Sequence, residues 1–270
     1  MASEAIEHLT ALLQSELPRL YAFAYLMCGA RNEASGQIRD AVRTLASAPG
    51  VVLEATRPSE ALLGYLARTI EEGLGRKAEQ SFVILDNLLR GEETMPIDAN
   101  RSPIDGDMSR VSVLLWELKR TCLASVLGCL PPAVRISFIL TDLFGYTPAA
   151  AAELINIKES AFRVRLTRAR RRLEDYLAPR CGHIDRHNPC YCEGRLNVAL
   201  EANFVGMPPH RDDIPTQRYD EGPEQRDIAS LYRTLPQILL SEAQRAEILA
   251  ALAPEPAGPA GLAESAGVTL

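Results

Sequence analysis

Apolar residues recur at spacings of three and four along most of this chain, the period of helices with one buried face. Ala5–Leu26 shows it first, with Pro18 in its second half and Gly29 as a stop. Ile38–Leu45 predicts a second helix, and Pro58–Gly73 a third that opens on Pro58-Ser59-Glu60. Gly75–Leu89 continues past the basic pair Arg76-Lys77. Val111–Cys129 is amphipathic and is broken at Leu130-Pro131-Pro132, and Ala133–Phe144 runs to Gly145. Thr147 is a cap for a short helix, Pro148–Leu154, with proline in its first turn. Asn156-Ile157 makes a turn, and Lys158–Leu177 forms a long helix closed by Pro179. Leu196–Phe204 and Asp227–Leu252 are further amphipathic segments. From Pro254 on, the chain is rich in Pro, Ala and Gly, and disorder is expected. No run of alternating β-branched residues suggests a strand. The expected fold class is all-α.

Residues 91–107, GEETMPIDANRSPIDGD, carry two prolines, two glycines and five acids against one arginine, which is the character of a linker. Four parts follow: a helical domain over 1–90, an acidic linker over 91–110, a second helical domain over 111–180, and an extension over 181–270.

Charge sharpens the second domain. The whole chain carries −6, yet residues 158–180 hold eight basic residues and three acids, so this stretch is +5 and the remainder −11. One cationic helix on an acidic protein suits local binding of phosphates rather than coating of nucleic acid. Thr147–Tyr176 also has the parts of a helix-turn-helix. Ala149–Ala152 are small enough for close helix approach, Leu154 and Ile157 fill the angle, and Phe162, Leu166, Ala169 and Leu173 form a buried stripe. The residues expected to face DNA are Lys158, Glu159, Ser160, Arg163, Arg165, Arg168, Arg170, Arg171 and Arg172. The early ones would meet base edges and flanking phosphates, the later ones the backbone. A basic helix is often just a solvated face, but here support helix, turn, stripe and charge fall in register.

With those residues in place, Leu130–Leu177 resembles region 4 of extracytoplasmic-function (ECF) sigma factors. The resemblance rests on Leu130-Pro131-Pro132, Gly145-Tyr146-Thr147, Ala152-Glu153-Leu154 and Arg168–Leu173. Leu17–Ala24 and Tyr65–Ile70 are similar, more weakly, to helices of region 2. The resemblance implies promoter-directed transcription initiation, with region 4 on the upstream promoter element and region 2 on the downstream one. Core RNA polymerase and promoter DNA are the implied partners, and an anti-sigma factor is admitted as a third. The chain departs from the family's pattern in the second helix, where Glu33-Ala34-Ser35-Gly36 and Arg39-Asp40 stand in place of an acidic cluster that grips polymerase. Tyr65 and Phe82 are the nearby aromatic candidates for duplex opening, and helical spacing favours core packing for both.

The six cysteines divide in two. Cys28, Cys122 and Cys129 lie in apolar helical patterns as small hydrophobes. Cys181, Cys190 and Cys192 cluster with His183 and His187. Zinc wants four such donors in a tetrahedron, and Cys181, His187, Cys190 and Cys192 are the expected set, with His183 as alternate. Some ECF sigma factors carry cysteine-rich extensions that sense metals, and Asn188–Cys192 resembles one. A zinc staple, a metal sensor and unligated thiols all remain open on spacing alone. No cofactor is otherwise required.

No phosphate loop, Gly-x-Ser-x-Gly or His-Glu-x-x-His occurs, so an enzyme is not expected. Met1–Glu7 holds two glutamates and no basic run, unlike a signal peptide, and no stretch of about 18 apolar residues exists, so the cytoplasm is the expected compartment. Besides the sigma factor, two readings stand: a sigma-like DNA-binding regulator that does not open promoters, and a metal- or redox-sensing interaction protein.

Overall fold

The computed structural model describes residues 2–78, 80–89, 96–209, 214–220 and 227–253. The expected disorder from Pro254 on lies outside them. Among the described residues there is no strand, only an isolated bridge between Cys181 and Cys190. The all-α expectation holds.

Helices α1 (Ala2–Cys28), α2 (Arg31–Ala46), α3 (Gly50–Leu53) and α4 (Pro58–Leu74) form the N-terminal bundle. Leu9, Leu13, Leu17, Leu20 and Ala24 are buried along one face of α1. Pro18 lies on its exposed side, so the hydrogen bond it removes is lost where water can replace it, and α1 runs on unbroken. Ala34, Ile38, Ala41, Val42 and Leu45 give α2 its buried stripe despite Gly36. After α5 (Phe82–Leu89) comes α6 (Ser109–Gly128), the central helix, which touches α1, α5, α7 and α10. So much of it is enclosed that Glu117 and Arg120 are buried. Arg31 lies 2.8 Å from Glu117, Arg120 also pairs with Glu117, and Arg120 donates to the carbonyl of Pro236 at 2.8 Å. A buried carboxylate is tolerated only with such partners.

Helix α7 (Pro132–Phe138) passes into a π-helical turn, Ile139–Leu143, and then into the helix-turn-helix pair α8 (Pro148–Leu154) and α9 (Glu159–Leu177). The junction between the two halves is held by Arg135. Its side chain is 1% exposed and donates to the carbonyls of Met27, Gly128 and Leu130, the last two at 3.2 and 3.0 Å. One continuous set of buried apolar side chains runs from Leu9 to Leu252. The 1–90 and 111–180 segments therefore share a core.

The expected linker is not a free spacer where it is described. Residues 98–107 wind into turns around Ile104, which is fully buried. Asn197 accepts from the Asp98 amide at 3.3 Å and donates to the Pro96 carbonyl, and Arg101 pairs with Glu201 at 2.6 Å. The extension is ordered by similar contacts. It holds α10 (Cys192–Glu201), α11 (Ile228–Arg233) and α12 (Glu242–Ala250). The amphipathic segment Asp227–Leu252 forms two helices. Pro236 interrupts it, and Ser241 with Gln244 forms a capping box that starts α12 afresh.

Replacing Arg135 with Met should leave the Met27 and Leu130 carbonyls short of a donor, while Gly128 keeps the amide of Gln80. Each such loss costs roughly 1–3 kcal/mol, so the urea midpoint should fall steeply with little change in helical content.

Candidate nucleic-acid interface

The helix-turn-helix is built largely by local rules. The Thr147 hydroxyl accepts from the Ala150 amide at 3.2 Å and caps α8. Asn156 takes the turn with φ +56, a left-handed conformation that asparagine enters more readily than most residues. The Ile157 amide then returns to the Ala152 carbonyl at 2.9 Å. On α9, Phe162, Leu166, Ala169 and Leu173 are all buried, as the spacing predicts.

The opposite face is open. Lys158, Glu159, Ser160, Arg163, Val164, Thr167, Arg168, Arg171 and Arg172 are exposed. The cations expected to meet DNA are not equivalent. Arg163 pairs with Glu159 one turn back at 2.6 Å, and Arg171 lies 3.7 Å from Asp175. Both pairs are exposed and easily exchanged for phosphate. Arg170 is held by Asp142 through two bonds of 2.9 and 2.7 Å, and this hydrogen bonding raises its pKa. Asp142 stands in the π-turn, so that pair braces the domain from within. Arg165 is held by Glu71 of α4 at 3.1 Å, a partner from the N-terminal bundle. Lys158, Arg168 and Arg172 are in no ion pair among the described residues.

Helix α4 lies along this motif with one row of residues. Tyr146, in the turn before α8, donates to Glu60, and Arg19 donates to both, reaching Glu60 at 2.9 Å. Burial would raise the Glu60 carboxyl, but the hydrogen bonds from Tyr146 and Arg19 outweigh it and hold the pKa below the ordinary value. One turn on, a Cβ at Gly64 would sit 2.5 Å from the Leu154 carbonyl oxygen. Arg68 donates to that same oxygen at 2.9 Å. Glu71 closes the row on Arg165. Burial raises the pKa of Glu71, with Arg165 acting the other way. Sequence reading missed this row because its partners lie 86 and 94 residues away. The one hint was the 60-64-68-71 spacing around a mid-helix glycine.

Phe82 stacks on Tyr176 with centroids 4.3 Å apart, and Tyr65 is partly buried against the core. The packing expectation for both is met.

The cysteine cluster departs from expectation. Among the described residues, no three His, Cys, Asp or Glu side chains come together to hold a metal ion. His187 turns outward, its side chain 86% exposed and its Nδ1 2.9 Å from Asp185, whose carboxylate also accepts the His187 amide at 2.8 Å. It is His183 that faces inward, with Nε2 3.5 Å from the Cys192 sulfur and 3.1 Å from the Tyr219 hydroxyl. The set Cys181, His187, Cys190 and Cys192 is thus not assembled, because Asp185 draws His187 away. Tyr219 packs edge-on against Trp116 of α6, so the cluster fastens the extension to the central helix. None of the six cysteines is in a disulfide. No helix among the described residues is long and apolar enough to cross a membrane.

Comparison with known families bears on the same segment. Residues 120–173 match the model of sigma-70, region 4. This segment is similar to sigma-70 region 4. The match takes in the second half of α6, α7, the π-turn, the support helix α8 and most of α9 with its open cationic face. No curated protein matches the chain. Among solved structures, the sigma factor RpoE in complex with the anti-sigma factor NepR from Bartonella quintana aligns over 61% of this chain and 93% of that one. The identity is 17% and the TM-score 0.37. The placement of α4 along region 4 therefore rests on this chain's own contacts.

The turn makes a direct test. Asn156→Gly should preserve or raise thermal stability, whereas Asn156→Val should lower it by about 1–2 kcal/mol, because a β-branched residue resists the left-handed conformation.

Proposed function

We propose that this chain is an ECF-type sigma factor that delivers RNA polymerase to promoters, with the exposed face of α9 reading the upstream element. The observation that carries this reading is the region 4 match over 120–173, joined to a recognition helix whose cationic face is open. Lys158, Ser160, Arg163 and Arg168 occupy the N-terminal two to three turns, where a helix entering the major groove meets base edges. Arg171 and Arg172 lie further on and suit phosphates. Arg170 is a bracing residue through Asp142. The N-terminal bundle is the counterpart of region 2, and it supplies the polymerase-binding and downstream functions. The protein acts as a non-enzymatic regulator in the cytoplasm.

A second reading, a regulator that binds promoters without opening them, is favoured by one observation. Phe82 is stacked on Tyr176 and Tyr65 is half-buried, so neither is presented to a melted strand. Transcription with purified core polymerase separates the two. A transcript from promoters selected by the chain supports the sigma factor, and a footprint without any transcript overturns it in favour of the regulator. Within the interface, Arg168→Gln should weaken binding to selected DNA about tenfold, the size of one good base or phosphate contact, as read by fluorescence anisotropy.

A further inference from the structure

We infer that α4 is an intramolecular competitor of DNA: it docks along region 4 and, through Glu71, occupies Arg165 as a phosphate would. The inference rests on the DNA-binding reading of α9 and adds its regulation.

Three observations carry it. The first is the continuity of the row. Glu60, Gly64, Arg68 and Glu71 lie at spacings of four, four and three, which is one face of a helix. In order, they meet Tyr146 before α8, the carbonyl of Leu154 at the end of α8 (Gly64 and Arg68 alike), and Arg165 on α9. Helix α4 thus follows the motif from its entry turn to its recognition helix.

The second is the nature of the last contact. Arg165 stands about 60° round the helix from Arg168, on the flank between the buried stripe and the open face, where a groove-bound helix meets the backbone of DNA. Its guanidinium is held at 3.1 Å by a carboxylate whose side chain is only 20% exposed. A charge-assisted bond of this kind uses the donors that a phosphate would take. Glu72 is exposed beside it, and Glu71 and Glu72 line the same cleft as Asn156 and Ile157 of the turn. Two carboxylates there repel a phosphate as well as occupy its ligand.

The third is the contrast with Arg170. Its partner Asp142 belongs to region 4 itself and travels with it, so that pair persists whatever the bundle does. The Arg165 pair crosses from one half of the chain to the other and breaks if α4 leaves. Docking of α4 therefore sets whether region 4 offers DNA all of its cations.

Two variants break the contact by different means. Glu71→Gln removes the charge and keeps the volume. Gly64→Ala puts a methyl group into the Leu154 carbonyl and wedges α4 off α8, while alanine favours helix in α4 itself. Binding of the full chain to a fluorescein-labelled duplex should tighten roughly threefold or more for each at low salt. The slope of log affinity against log salt should steepen by about one, the signature of one added phosphate contact. Arg165→Gln should cost little in the wild-type chain and should erase the gain in Glu71→Gln. Unchanged affinity and slope in both Glu71→Gln and Gly64→Ala, with circular dichroism showing both folded, would overturn the inference. Arg168→Gln, at a residue that α4 does not touch, tests the DNA reading separately: if it leaves binding intact, that reading fails, whatever Glu71 does.

Discussion

One guanidinium joins the two halves of this molecule. The last carbonyls of a helix have no partner within it, and they carry the negative end of the helix dipole. Arg135 places a buried cation among three carbonyls, at the end of α1, the end of α6 and the loop before α7. Its cost of burial is offset by these hydrogen bonds from its terminal nitrogens. The consequence is architectural: the N-terminal bundle and the helix-turn-helix domain meet as parts of one core, and α4 is brought alongside α8 and α9.

What could be read from the sequence follows from how local each feature is. The helix-turn-helix depends on a cap at Thr147, a left-handed Asn156 and an apolar stripe on α9, all within thirty residues, and it was legible almost in full. The role of Glu71 was not, because an exposed-looking glutamate on an amphipathic helix carries no mark of an arginine 94 residues away. The linker misled through its composition. Buried Ile104, with the Asn197 and Arg101 contacts, anchors a segment that otherwise reads as spacer. The cysteine cluster misled for a different reason. Spacing put His187 in the expected set and His183 as alternate, whereas His187 is engaged by Asp185, whose carboxylate takes both its backbone amide and its ring.

The extension turns the shared core into a braced one. Its α11 end packs on the π-turn and α9, Arg120 anchors the Pro236 carbonyl at its middle, and α12 lies on α1 and α2, where Arg39 pairs with Glu247 and Gln244 reaches Ser35. A strap from the helix-turn-helix domain to α2 opposes the same separation that the α4 row opposes. The two sets of contacts differ in kind. The strap is fixed by buried side chains such as Ile248 and Leu252, whereas the row is mostly polar and so responds to salt and to competing anions.

The π-helical turn at Ile139–Leu143 has a bearing on how this chain can change over time. Such a turn amounts to one surplus residue in a helix, and each residue turns the chain by about 100°. Deleting one residue there would restore regular geometry and swing everything downstream by that angle. Asp142 would lose its facing to Arg170, and Tyr146 would leave Glu60 and Arg19. The segment can therefore drift in side-chain identity but not in length, and insertions or deletions between α7 and α8 should be far rarer among descendants of this sequence than substitutions in the same few positions.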